Sequence, residues 1–253
     1  MRSDRCARDP RDVKGAQVGE PIVFLPGMMC DARLFAAQVT ALSRDHVVSV
    51  APITRGERIE EIASGLLDAL PRKFALVGLS MGGIVAMEIL RRAPERVARI
   101  ALMDTNPLAE TPQSAAAYEP LLIQARTGRL AEALSGILRP EHLAPGPGRV
   151  PVMAMVQQMA QDHGAEVFAR QLRALQRRRD QQPTLRRCKV PALVLCGEHD
   201  SLTPPRRHSF MAGLIPFARF EMIEGAGHLP PLEAPDLVTE ALRDWLTQPF
   251  VLQ

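Results

Sequence analysis

Ser80 stands in Gly78-Leu79-Ser80-Met81-Gly82-Gly83, directly after an apolar run that ends at Leu79. A serine hydroxyl is a poor nucleophile until a base takes its proton. The pattern G-x-S-x-G, alone, is weakly specific; between a strand and a helix it marks a sharp turn that lifts Oγ clear of the chain. Such a turn leaves no room for Cβ atoms two positions to either side, which explains Gly78 and Gly82, and Gly83 lets the next helix pack closely. The first turn of that helix offers unpaired N–H groups and a positive dipole end to a developing oxyanion.

A base and an orienting acid must then be found elsewhere. Among the six histidines, His228 lies in Glu224-Gly225-Ala226-Gly227-His228-Leu229-Pro230, a glycine-rich loop after the last apolar run. His199 sits beside Asp200 in one turn and suits a loop surface, and His46, His142, His163 and His208 have less suitable settings. The acid holds the imidazole in one tautomer and stabilises its charged form. Asp200, closing Gly197-Glu198-His199-Asp200 after the run Leu193-Val194-Leu195-Cys196, is the choice; Asp104, at the end of Ile100-Ala101-Leu102-Met103, is the rival and Glu198 a third. For the oxyanion of a tetrahedral intermediate, the first donor is the N–H of Met81, next to the serine. The second is the N–H of Met28, in Pro26-Gly27-Met28-Met29-Cys30-Asp31, where Gly27 lets the backbone turn.

The elements that must position these residues are short apolar runs alternating with helical patterns. Residues 21–26, 47–53, 74–79, 97–103 and 192–196 fit strands covered on both faces, and 219–223 is a less clear sixth. Helical patterns fall over 32–42, 59–70, 81–92 and 237–246. The alternation predicts an α/β fold with a doubly wound, mostly parallel sheet. It stops between about residues 106 and 187, where four helical patterns (113–126, 129–138, 150–163, 165–179) and no strand are found. An all-helical segment is therefore inserted in the core. The division expected is a polar extension over 1–19, a core over 20–106 and 188–253, and the helical insertion over 107–187.

At 253 residues, with 46% hydrophobic and 23% charged side chains, the chain can bury a large core and is not disordered. A net charge of +3, with no Lys/Arg stripe interleaved with aromatics, argues against nucleic-acid binding. Arg177-Arg178-Arg179, followed by Asp180, fits a solvated helix end. Cys6, Cys30, Cys188 and Cys196 have no C-x-x-C spacing and suit free thiols in a reducing compartment. The first residues lack an apolar h-region, Asp4, Asp9 and Asp12 argue against a transit peptide, and no apolar stretch is long enough for a membrane span. These features lead us to expect a cytoplasmic protein.

Pro26-Gly27-Met28, Gly78-Leu79-Ser80-Met81-Gly82-Gly83, Gly197-Glu198-His199-Asp200 and Gly225-Ala226-Gly227-His228, in that order, resemble the α/β-hydrolase superfamily over about residues 21–246. The branch resembled is that of lid-bearing serine esterases, which includes the carboxylesterases of pimeloyl-carrier-protein methyl ester and the enol-lactonases. The resemblance implies Ser80 as nucleophile, His228 as general base and acid, Asp200 as its orienter, backbone donors at Met28 and Met81, and a lid made from the inserted helices. It implies an ester or thioester of a small to medium acyl group as substrate, with no metal or organic cofactor. Val152, Met153, Val156 and Met159 on the lid suit an aliphatic chain. Carbon–carbon bond hydrolysis, perhydrolysis and acyl transfer remain open on the same triad, as does a non-catalytic ligand receptor. Three departures from the family pattern stand out. Pro26 replaces the frequent histidine before Gly27. Residues 1–19 leave little room for a leading β-hairpin, so one or two edge strands are expected to be missing. With one Trp and one Tyr, the pocket does not rest on aromatic walls.

Overall fold

The computed structural model describes residues 19–249; the polar extension expected over 1–19 falls outside them except for Gly19, and so does Cys6. Six strands form one sheet: β1 Gly19–Leu25, β2 His46–Val50, β3 Phe74–Leu79, β4 Val97–Met103, β5 Ala192–Gly197 and β6 Ala218–Ile223. Their order is β2-β1-β3-β4-β5-β6 and every pairing is parallel. Among the described residues no strand precedes β1, and β2 forms that edge of the sheet. All side chains of β3, β4 and β5 are buried, as continuous apolar runs require when helices cover both faces. The edge strands β2 and β6 are half exposed, so β6 carries a more polar sequence and is harder to recognise.

Alternation along the strands builds two cores. Ile22, Phe24, Val77, Met103 and Leu195 point to one face with the helices α1 (Ala36–Leu42) and α11 (Pro235–Thr247). Val23, Leu25, Leu76, Leu102 and Val194 point to the other with α2 (Ile59–Ala69) and α3 (Met81–Arg92). α2 buries Ile59, Ile62, Ala63 and Leu66, and α11 buries Val238, Ala241, Leu242 and Trp245. Both are i, i+3, i+4, i+7 stripes. α1 starts late: residues 32–35 form a 3-10 turn, with the Asp31 carboxylate accepting from the Arg33 N–H at 2.9 Å.

Between β4 and β5 lie five helices: α4 Pro112–Ala116, α5 Glu119–Arg126, α6 Leu130–Ser135, α7 Arg149–Gln176 and α8 Gln182–Arg186. The single helix expected over 113–126 is broken into α4 and α5, because Pro120 lacks the N–H that continuation demands. The patterns over 150–163 and 165–179 meet in α7, which kinks at Gly164 (φ 79°, ψ 172°); a residue with a Cβ is strained there. Phe168 and Leu172 are fully buried, and Val152, Val156 and Met159 join the same apolar core as β1 and β3. α9 (Pro205–Leu214) and α10 (Pro230–Glu233) complete the chain. α8, α9 and α10 have few apolar side chains, hence no periodic signal. No helix among the described residues is long and apolar enough to cross a membrane.

Candidate active site

A parallel sheet sends the carboxyl ends of all its strands to one edge, so loops far apart in sequence meet there. Ser80 follows β3 with φ 53° and ψ −116°, a conformation disfavoured for a residue with a side chain. The surroundings enforce it. A Cβ on Gly82 would lie 2.1 Å from the Leu25 carbonyl oxygen, and one on Gly78 would lie 2.5 Å from that of Gly82. Two glycines thus let α3 start against the ends of β1 and β3. The Ser80 N–H donates to the Met103 carbonyl at 2.9 Å, and the Thr105 hydroxyl donates to the Ser80 carbonyl at 2.7 Å.

His228 Nε2 lies 3.0 Å from Ser80 Oγ, and Nδ1 lies 2.9 Å from Asp200 Oδ2. A carboxylate only accepts, so Nδ1–H donates to Asp200 and Nε2 is left to accept from the serine. Asp200 is 2% exposed. Its Oδ1 accepts from the N–H groups of Leu202 and Thr203, both at 2.9 Å, and its Oδ2 from the Thr203 hydroxyl at 2.6 Å. Burial pushes the Asp200 carboxyl up, but the adjacent imidazole, its hydrogen bond and the Thr203 donors outweigh that and hold it well below the usual carboxylate range.

Asp104, the rival acid, lies directly behind. It is fully buried with φ 43°. Its Oδ1 accepts from the Gly197 N–H at 2.9 Å, whereas Oδ2 has no hydrogen-bond partner. Burial, and then the charge of Asp200, push its carboxyl well above the ordinary value, so of the two carboxyl groups Asp104 is the one that holds its proton more readily. Polar atoms of Asp104, Asp200 and His228 lie within 4.8 Å of one another, a spacing that metal ligands also show. Here both ring nitrogens of His228 and both oxygens of Asp200 are already committed to protein partners, so the donor set fits a hydrogen-bonded relay better than a metal. Glu198 and His199 form an exposed pair 3.7 Å apart, and the Glu198 carboxylate accepts from the Gly225 N–H at 3.1 Å.

The Met28 and Met81 N–H groups donate to no acceptor among the described residues, and both residues line the cavity at Ser80. The positive φ in this loop belongs to Met29 (57°), not to Gly27. Gly27 instead allows close approach, since a Cβ there would lie 3.2 Å from Leu79 and 3.6 Å from the Ser80 Cβ. The strained Met29 N–H donates to Gln171 Oε1 at 2.9 Å, and Gln171 Nε2 donates to the Ile53 carbonyl at 3.1 Å. A fully buried glutamine of α7 thereby fixes this loop. The sequence holds no local sign of that role, since Gln171 is one polar residue in a mixed apolar and charged stretch of a helix. Glu233 was missed as well, as a single acid in the proline-rich stretch Pro230-Pro231-Leu232-Glu233-Ala234-Pro235. Its carboxylate accepts from the N–H groups of Gly227, Leu229 and Ala144, at 3.0, 2.9 and 2.7 Å, pinning the histidine loop to the insertion.

A cavity of about 230 Å³ opens at Ser80, and its lining includes the apolar Ile84, Ile137 and Leu175 and the charged Glu110, Arg178 and Arg207. A niche of about 30 Å³, lined mostly by apolar residues such as Val156, Leu134 and Leu229, also borders Ser80 and His228. A larger groove of about 390 Å³, beside Pro145, Val152 and Leu232, does not reach Ser80. Cys30 borders the niche, but burial and then the Asp31 charge push its thiol up to about 12, so it holds no thiolate to compete with Ser80. Tyr118 lines the main cavity, while Trp245 is sealed in the core. Arg178 corrects the reading of 177–179 as a solvated helix end. Its side chain is 11% exposed and pairs with Glu110 at 2.7 Å, because the chain turns as it leaves α7, the Arg178 N–H donating to the Leu175 carbonyl, and Arg178 lines the cavity.

A Ser, His and Asp joined by hydrogen bonds at the carboxyl edge of a parallel sheet place the protein among the α/β enzymes that work at that edge. The match is specific: residues 22–241 fit the model of the Alpha/beta hydrolase family, and the chain belongs to that family. It is 27% identical over 201 residues to a pimeloyl-[acyl-carrier protein] methyl ester esterase of Aromatoleum aromaticum, covering 72% of this chain and 77% of that protein. Among solved structures, a malate-bound thermophilic esterase from Thermogutta terrifontis superposes with a TM-score of 0.80 and 28% identity, over 90% of each chain. The enol-lactonase from Burkholderia xenovorans LB400 does so with a TM-score of 0.80 and 26% identity, over 91% of this chain and 92% of that one. The fold and the hydrolase class expected from the sequence are thus those of its relatives.

Proposed function

We propose that the protein is a serine carboxylic ester hydrolase acting through an acyl-enzyme on Ser80. The observation that carries this reading is the unbroken chain from Ser80 Oγ to His228 Nε2 (3.0 Å) and from His228 Nδ1 to Asp200 (2.9 Å). Ser80 Oγ attacks the ester carbonyl as His228 takes its proton; Asp200 holds the imidazole and stabilises the imidazolium. The N–H groups of Met28 and Met81 receive the oxyanion. His228 then protonates the leaving alcohol, and a water activated by the same imidazole hydrolyses the acyl-enzyme. The insertion over 107–187 serves as a lid over this edge, with Ile137 and Val156 facing the acyl group. Three buried free thiols, Cys30, Cys188 and Cys196, favour a reducing, cytoplasmic setting.

A fluorophosphonate probe tests the assignment: the wild-type protein should label at Ser80, and an unlabelled protein that still binds small ligands would be a receptor instead. In a p-nitrophenyl ester series from acetate to decanoate, the small cavities favour acyl groups of six carbons or fewer. Gln171→Leu should lower kcat by about tenfold or more with little change in KM, because a shifted Met28 donor weakens the transition state rather than ground-state binding. An equal kcat would show that the loop holds its shape without Gln171.

A further inference from the structure

The cavity at Ser80 carries charge that ester hydrolysis itself does not use. Glu110 and Arg178 form a shielded pair, with the Tyr118 hydroxyl donating to Glu110 at 3.1 Å and the Ser114 hydroxyl donating to it as well. Arg178 also donates to the Leu108 carbonyl at 2.9 Å. These two charges cancel. Arg207, in the first turn of α9, lines the same cavity, and among the described residues its guanidinium makes no hydrogen bond or ion pair. One positive charge is therefore left over within a small, partly apolar space that also holds the nucleophile.

Its position is held by the fold. His208, the next residue, is fully buried, and its Nε2 accepts from the Thr105 N–H at 2.9 Å. Thr105 in turn holds the Ser80 carbonyl, so the first turn of α9 is tied to the nucleophile's own turn. Burial pushes the His208 imidazole down to about 4; it adds no charge, and the excess belongs to Arg207 alone. A guanidinium presents a planar fork of donors that matches a carboxylate, and a neutral ligand would leave that fork unmet.

We propose that Arg207 selects esters bearing an anionic group a few bonds from the scissile carbonyl, a carboxylate above all, so that half-esters of short dicarboxylic acids are the substrate class. This rests on the ester-hydrolase reading for the reaction, but not for the anion site.

Monomethyl glutarate and methyl pentanoate differ chiefly in the terminal carboxylate. For the wild type, kcat/KM should favour the glutarate ester at least tenfold. Arg207→Gln should lower that ratio at least tenfold, mainly through KM, and Arg207→Lys should restore most of it. A ratio near one in the wild type, or one unmoved by Arg207→Gln, would overturn the proposal. Calorimetry on the Ser80→Ala protein reads the site without turnover: monomethyl glutarate should bind more tightly than methyl pentanoate, and adding Arg207→Gln should erase the difference. If inorganic phosphate competes better than glutarate, the anion is a phosphate and the carboxylate assignment falls. Loss of fluorophosphonate labelling with glutarate-ester binding retained would sink the hydrolase reading and leave the anion site standing.

Discussion

Ser80→Ala should lower kcat on a short p-nitrophenyl ester by roughly 10⁴- to 10⁶-fold, with no change in fold. Alanine tolerates φ 53° no worse than serine does, and the glycines that enforce the turn remain. No neighbouring hydroxyl can take over. The Thr203 hydroxyl, 3.4 Å from His228 Nδ1, is on the wrong side of the ring and already donates to Asp200. Residual activity would come from the free N–H groups of Met28 and Met81 and from substrate binding. On the proposed mechanism Ser80 and His228 act as one unit, so Ser80→Ala/His228→Ala should be little worse than either change alone. Retention of more than about a hundredth of wild-type kcat by the folded single variant would contradict a covalent step at this oxygen.

The second large effect separates two buried carboxyl groups. Asp200→Asn should cost about 10⁴-fold in kcat. The Leu202 and Thr203 N–H groups would hold the asparagine oxygen, leaving its NH2 toward His228 Nδ1. The ring would then carry its proton on Nε2, where it cannot accept one from Ser80. Asp104→Asn should lose less than about tenfold, because burial and the Asp200 charge favour the protonated form there and an amide is a close mimic of a protonated carboxyl group. Stability supplies an independent reading. The folded pKa of Asp104 is raised, so its contribution to stability is greatest below the unfolded carboxyl value of about 4 and declines as pH rises toward the folded value. Asparagine has no such titration. The Tm of Asp104→Asn relative to wild type should therefore rise between pH 4 and pH 7. A larger loss of kcat at Asp104 than at Asp200 would make Asp104 the orienting acid.

Much of this arrangement was legible in the chain, and the reason lies in burial. β3, β4 and β5 are covered on both faces, so their sequences are apolar runs, interrupted in β4 only by the buried Arg99. The turns that follow them carry glycines wherever two backbones nearly touch. Gly197 is another instance, since a Cβ there would lie 2.0 Å from the Gly227 carbonyl oxygen. The supporting residues left no such trace. Gln171, His208, Glu233 and Arg207 are single polar residues in mixed or proline-rich stretches, where an exposed helix face or loop would show the same composition. Gln171 meets Met29 across 142 positions, and His208 meets Thr105 across 103.

From the chain alone came the alternation of strands and helices, the serine turn and the order of serine, acid and histidine, because each is written in local steric and hydrophobic demands. Only the folded molecule decided which of two strand-end aspartates faces the imidazole, which arginine at the cavity pairs with Glu110 and which pairs with none of the described residues, and where the loop of Met28 and Met29 is anchored. Those choices depend on side chains brought together by sheet packing, and a dipolar or ionic contact formed across a hundred residues imposes no pattern on the sequence around either partner.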